Sequence, residues 1–136
     1  MRKFILLFSF IIAASCLSGC SNSENDDPFV SIVGTWELKT LCYPGSNVEI
    51  PLDKRDLFIF SSSGQVKVIK KMRSFFPNFP NEDGEYDYSY DKEKQIILLC
   101  GKTRKCIITD DEMNIDSGLA SADSEPIQNY LFIKTN

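Results

Sequence analysis

Residues 84–91 read GEYDYSYD, and they set the reading of the whole chain. Tyr86, Tyr88 and Tyr90 fall on one side of an extended backbone, Glu85, Asp87 and Ser89 on the other. A strict period of two predicts a strand with one face turned to a core. The neighbours repeat the theme. On the N-terminal side, Gln65 to Arg73 alternates Val66 and Val68 with Lys67, and Asp56 to Ser62 (DLFIFSS) is apolar on both faces before the turn SSG. On the C-terminal side, Lys94 to Gly101 (KQIILLCG) and Thr103 to Asp110 (TRKCIITD) are joined at Gly101-Lys102. Glu112 to Ser117 then sets Met113 and Ile115 against Asn114 and Asp116.

Two outer segments complete the set. Gly34 to Tyr43 alternates Trp36, Leu38, Thr40 and Cys42 against Glu37 and Lys39, and Ile127 to Thr135 ends the chain with aromatic and aliphatic residues. Eight successive strands joined mostly by short turns predict an all-β fold. The expected form is an eight-stranded antiparallel up-and-down β-barrel, which removes exposed edges; a two-sheet sandwich is the rival. Three connections are long: 44–55, 73–83 and 118–126. The first two are expected at one end with the turn 91–93, and the last at the opposite end with 63–64 and 110–111.

The first thirty residues carry a different message. Arg2 and Lys3 precede Phe4 to Ala14, an apolar run broken only by Ser9. At eleven residues the run is well short of the ~20 of a membrane-spanning helix and has the layout of a secretory signal. Leu17-Ser18-Gly19-Cys20 resembles the bacterial lipobox, which implies cleavage before Cys20 and lipid attachment to its thiolate. The domains expected are a lipoprotein signal peptide over 1–19, a lipidated cysteine and acidic tether over 20–30, and a barrel over 31–136. The tether has Glu24, Asp26 and Asp27 and little to bury. These acidic residues resemble the export signal of surface lipoproteins of the Bacteroidota, and Ser21 after the cysteine resembles outer-membrane sorting. The protein is therefore expected on the outer membrane, held by acyl chains such as palmitate, facing either the periplasm or the exterior.

Composition excludes some functions. With the leader removed, 13 basic residues face 19 acidic ones, a net charge of −6, and histidine is absent. An acidic chain without a basic face is not expected to bind nucleic acid. Lack of histidine removes Ser-His and Cys-His pairs, so no catalytic residue is assigned and no enzyme is expected. Nor is a metal site or cofactor, since histidine and paired CxxC spacing are both missing. Cys42, Cys100 and Cys106 either form one disulfide or stay reduced and buried; a hairpin centred on Thr103 would set Cys100 opposite Cys106.

Gly34-Thr35-Trp36 resembles the G-x-W signature of lipocalins. More closely, the chain is similar to short lipocalin-like domains of Bacteroidota lipoproteins. The correspondences are GTWEL at the start, Phe60 and Gly64 around a hairpin, Gly84, Tyr86 and Tyr88, and Tyr130, Phe132 and Lys134 on the last strand. META-like domains also share G-x-W, but their GCN segment is absent. The resemblance implies that Trp36 plugs one barrel end with a basic residue, here Lys134, across its indole, and that Gly34 gives the tight entry.

It also implies a small apolar ligand within the barrel, lined by Leu38, Val66, Val68, Tyr86, Tyr88 and Met113, with tyrosine hydroxyls as polar handles. The alternative is that these residues fill the interior. Phe75, Phe76 and Phe79 in SFFPNFP have three readings: a lid over the open barrel end and its ligand, a patch for an envelope protein partner, or an ordinary end cap. Two functions stay open: a carrier of a small hydrophobic molecule, and a non-catalytic surface module with a filled barrel.

Overall fold

In a computed structural model of the chain, residues 31–76, 79–118 and 127–136 are described. The signal, Cys20 and the tether lie outside them. The strands are β1 (Gly34–Tyr43), β2 (Ser46–Glu49), β3 (Leu57–Phe60), β4 (Gln65–Ile69), β5 (Gly84–Asp91), β6 (Ile96–Leu99), β7 (Lys102–Ile108), β8 (Glu112–Asp116) and β9 (Asn129–Thr135). One 3-10 turn spans Leu52–Lys54. Every pairing is antiparallel, neighbours pair in chain order from β3 to β9, and β1 pairs with both β3 and β9 to close the ring. The protein is an all-β, eight-stranded up-and-down barrel of the lipocalin-like kind.

The ninth strand is additional. Pro44-Gly45 makes a tight turn, with Gly45 at φ 77°, and β2 folds back on the upper half of β1 (Tyr43↔Ser46, Thr40↔Glu49). Proline followed by a glycine in the left-handed region is the signature of a type II turn. All four residues of β2 are exposed, so it forms a flap beside the barrel rather than a wall of it.

Inward side chains follow the expected alternation. Trp36, Leu38, Phe58, Phe60, Val66, Val68, Ile97, Leu99, Cys106, Met113, Ile115, Tyr130 and Phe132 are all buried. Two departures have local causes. A bulge at Lys39 shifts the parity of β1: Leu38 pairs with Phe132, but Leu41, rather than Thr40 or Cys42, pairs with inward Tyr130. The β6–β7 turn sits at Cys100-Gly101, with φ of 51° and 71°, the double left-handed geometry of a type I′ hairpin. Leu99 therefore faces Lys102, and Cys100 sits exposed at the tip while Cys106 is buried beyond the paired stretch, where its N–H donates to the Gln95 carbonyl (2.8 Å). The two thiols do not face each other, and Cys42, Cys100 and Cys106 are all unbridged.

The ends also differ from expectation. Each hairpin reverses the chain, so alternate connections share an end. The turns 61–64, 92–95 and 109–111 lie at the end where β1 begins and β9 finishes. The flap, the 70–83 connection, the Cys100-Gly101 turn and the Asp116/Asn129 pair that flanks the last connection all lie at the other. The strand ends that flank the last connection are thus on the same side as the first two long connections, and the turn after Asp91 is opposite.

Candidate functional site

At the end where β1 begins, Trp36 is fully buried and its indole N–H donates to the Ile32 carbonyl (2.8 Å). Register pairs Trp36 with both Phe58 and Lys134. The Lys134 ammonium lies 5.4 Å from the indole centroid, within range of a cation–π attraction. Gly34 has φ 137°, and a Cβ there would approach Lys134 Cε to 2.9 Å. Gly34, Trp36 and Lys134 thus form one closed end, with the lysine methylenes lying over the glycine.

The opposite end is occupied by the chain itself. Phe76 and Phe79 are buried, at 3% and 4% exposure, whereas Phe75 is 74% exposed. The Phe79 ring stacks on Tyr130 (centroids 4.4 Å apart, 26° between planes) and lies 5.5 Å from Phe58 and 6.2 Å from Phe132. Phe76 meets Tyr130 edge-on at 5.4 Å. Asn81 holds the loop: its carbonyl oxygen accepts from the Phe76 N–H, and its amide donates to the Phe76 and Phe79 carbonyls (2.7, 2.7 and 2.8 Å). Three backbone groups that a strand ladder would otherwise serve are matched by this one side chain, and the Phe79 N–H donates to the Phe76 carbonyl (3.2 Å), which lets two aromatic rings enter the barrel mouth.

A second clamp fixes the start of this loop. Asp56 is fully buried and accepts from the Lys71 and Met72 N–H groups (2.6 and 2.9 Å), while its other oxygen pairs with the Lys70 ammonium. Lys70 in turn lies 5.0 Å from the Phe76 ring centroid. Arg55, next in the chain, donates to the Ile50 carbonyl (3.0 Å) and pairs with Glu49 and Glu37 (3.1 and 3.5 Å), tying the flap to the barrel.

Of the residues assigned to a ligand, Leu38, Val66, Val68, Phe76, Phe79 and Met113 are buried. They fill the interior with Phe58, Phe60 and Phe132 rather than edging a described cleft. Tyr86 and Tyr88 are half-buried, and their hydroxyls are already committed, donating to the Glu82 carbonyl (2.8 Å) and to the Ser61 carbonyl. They are not free handles. Among the clefts bounded by described residues are one of about 390 Å³ over Lys105, Ile107, Asn114, Asp116 and Asn129, and one of about 370 Å³ at the closed end between Ile32, Ser62–Gly64 and Tyr88–Tyr90.

Sequence reasoning passed over Asp56, Arg104 and Tyr130 as interior polar groups. Arg104 pairs in register with Ile97, points inward at 2% exposure, and holds its guanidinium carbon 5.1 Å from the Phe79 ring centroid. Burial pulls its pKa down, while Tyr130, Cys100 and Asp116 act in the opposite sense. Tyr130 is fully buried and its hydroxyl has no hydrogen-bond partner among the described residues; burial pushes its pKa up to about 12, with Arg104 opposing the rise. The signal available was the interruption of the TRKCIITD alternation by a charge on the apolar face. Burial also raises all three thiols, Cys106 to about 12. Among the described residues no three His, Cys, Asp or Glu side chains are grouped to hold a metal, and no helix is long and apolar enough to cross a membrane.

The class the fold defines is a small closed β-barrel, sealed at one end by an indole and at the other by its own loop. Comparison with known protein families gives no match, and comparison with characterised proteins gives none either.

Proposed function

We propose that the protein is a lipoprotein of the bacterial cell envelope, anchored through Cys20, whose barrel acts without catalysis as a module presenting its loop-bearing end to another envelope protein. The observation that carries this reading is the division of labour in SFFPNFP: Phe76 and Phe79 occupy the barrel mouth while Phe75 stands out in solvent. A barrel filled by its own aromatic rings has little room for cargo. Val48 and Leu52, also exposed, lie at the same end, and Lys71 and Arg73 are exposed beside Phe75. An exposed aromatic flanked by cations suits a partner with an apolar recess and an acidic rim.

The test is a photo-crosslinking amino acid at position 75 of the full chain in cells. A discrete adduct with one envelope protein is expected, absent when the crosslinker replaces solvent-facing Lys67. Diffuse labelling, or none, would count against a docking role. The anchor is tested separately. Cys20→Ala is expected to move the protein from the membrane to the soluble fraction, since acyl chains contribute ~0.8 kcal/mol per buried methylene. A variant that still sediments with membranes would remove the lipoprotein reading.

A further inference from the structure

The seat of the Phe79 ring is built by the barrel, but its occupant comes from a connection. Tyr130 supplies a stacking face, Phe58 and Phe132 supply walls, and the Arg104 guanidinium lies over the ring. All four belong to strands and all are buried. A pure hydrocarbon is a poor chemical match for this seat. The Tyr130 hydroxyl is buried without a hydrogen-bond partner among the described residues, which is costly for a polar group. Beside it sits a buried cation whose charge bears on that same hydroxyl. A buried hydroxyl donor and a guanidinium lying over an aromatic slot together describe a site for an aromatic ring carrying an anionic acceptor.

We propose that the Phe79 seat is a latent binding site for a small aromatic carboxylate, which takes the place of the Phe79 ring between Tyr130, Phe58 and Phe132. Its carboxylate pairs with Arg104 and accepts from the Tyr130 hydroxyl. Phe79 is then a resident competitor: it keeps the barrel dry and closed, and lowers apparent affinity by the fraction of time it holds the seat. The site goes beyond the docking role proposed above and does not depend on it, because it uses the interior while docking uses Phe75.

The experiment is calorimetric titration of the full chain with phenylacetate and with its neutral counterpart phenylacetamide. Phe79→Ala, which empties the seat, is expected to bind phenylacetate at least about tenfold more tightly than the unaltered protein does. It should also prefer the acid over the amide by about tenfold or more, the size of a charge-assisted hydrogen bond. Adding Arg104→Gln to Phe79→Ala should abolish that preference while leaving binding of the amide in place. Should Phe79→Ala fail to fold by circular dichroism, Phe79→Leu, which keeps part of the apolar volume, carries the same comparison. A folded variant that binds neither probe, or binds acid and amide equally, overturns the proposal.

Discussion

Replacing Asp56 with alanine tests the central claim about the 70–83 loop, that one buried carboxylate holds its start. The carboxylate is fully buried and serves three donors, the N–H groups of Lys71 and Met72 and the Lys70 ammonium, itself only 9% exposed. Removing one partner of a buried ion pair costs ~3–5 kcal/mol, because the other charge is left uncompensated. Each orphaned N–H adds ~1–3 kcal/mol if it stays dry. These terms do not add in full, since Lys70 can swing toward water once released, so the net loss is about 4 kcal/mol. That is a large share of the ~5–15 kcal/mol typical of a domain and corresponds to a fall of roughly 15 °C in Tm. Guanidinium denaturation at pH 7 of the wild type, Asp56→Ala, Asp56→Asn and Asp56→Ala/Lys70→Met measures it. Asp56→Asn, which keeps an acceptor, should lose less, and the double variant should recover about 1–2 kcal/mol by removing the stranded ammonium. An Asp56→Ala variant within about 1 kcal/mol of the wild type would refute the clamp.

Three further outcomes are expected. Gly34→Ala should lose about 1–2 kcal/mol in the same assay, from its φ of 137° and the push on Lys134, whereas Lys134→Met alone should lose under ~1 kcal/mol; equal losses would contradict the geometry. Stability should be flat through neutral pH and fall above about pH 9. Cys106 and Tyr130 are held neutral in the fold, with pKa values near 12 against unfolded values of 9.0 and 10.0, so the unfolded chain gives up protons first. The slope is about 1.4 kcal/mol per pH unit for each group, and urea midpoints that do not move between pH 7 and 10.5 would contradict it. In thiol labelling followed by peptide mass spectrometry, Cys100 should react first, half-buried Cys42 more slowly, and Cys106 only on unfolding; early modification of Cys106 would place it outside the core.

The barrel was legible because its strands alternate, and the clearest of them, Tyr86 to Tyr90, turn one face inward as read. The closed end was legible from Trp36 and from a single basic residue on the last strand. The mouth was not. Phe76 and Phe79 belong to a proline-bounded connection with no period, so their burial depends on Asn81 and Asp56, which local pattern does not reveal. The β6–β7 turn was misplaced because Cys100, a residue with no turn preference, takes the left-handed conformation that a glycine or asparagine would advertise. The bulge at Lys39 has no sequence signature of its own, and Arg104 reads as an ordinary strand charge until its neighbours are known. Which connections share an end follows from the parity of reversals in the antiparallel meander.

The seam where Thr35 meets Thr135 has a kinetic consequence. Every other strand pair joins segments close in sequence, so hairpins can form with little loss of chain entropy, while this last zip must close a loop of nearly the whole domain. Closure of the seam is therefore the slow step in refolding. A circular permutant that ligates the two ends and opens the chain at Ser62-Ser63 makes this pairing local and moves the distant closure to β3 and β4, so substitutions that weaken the β1–β9 pairing should slow refolding less in the permutant than in the parent.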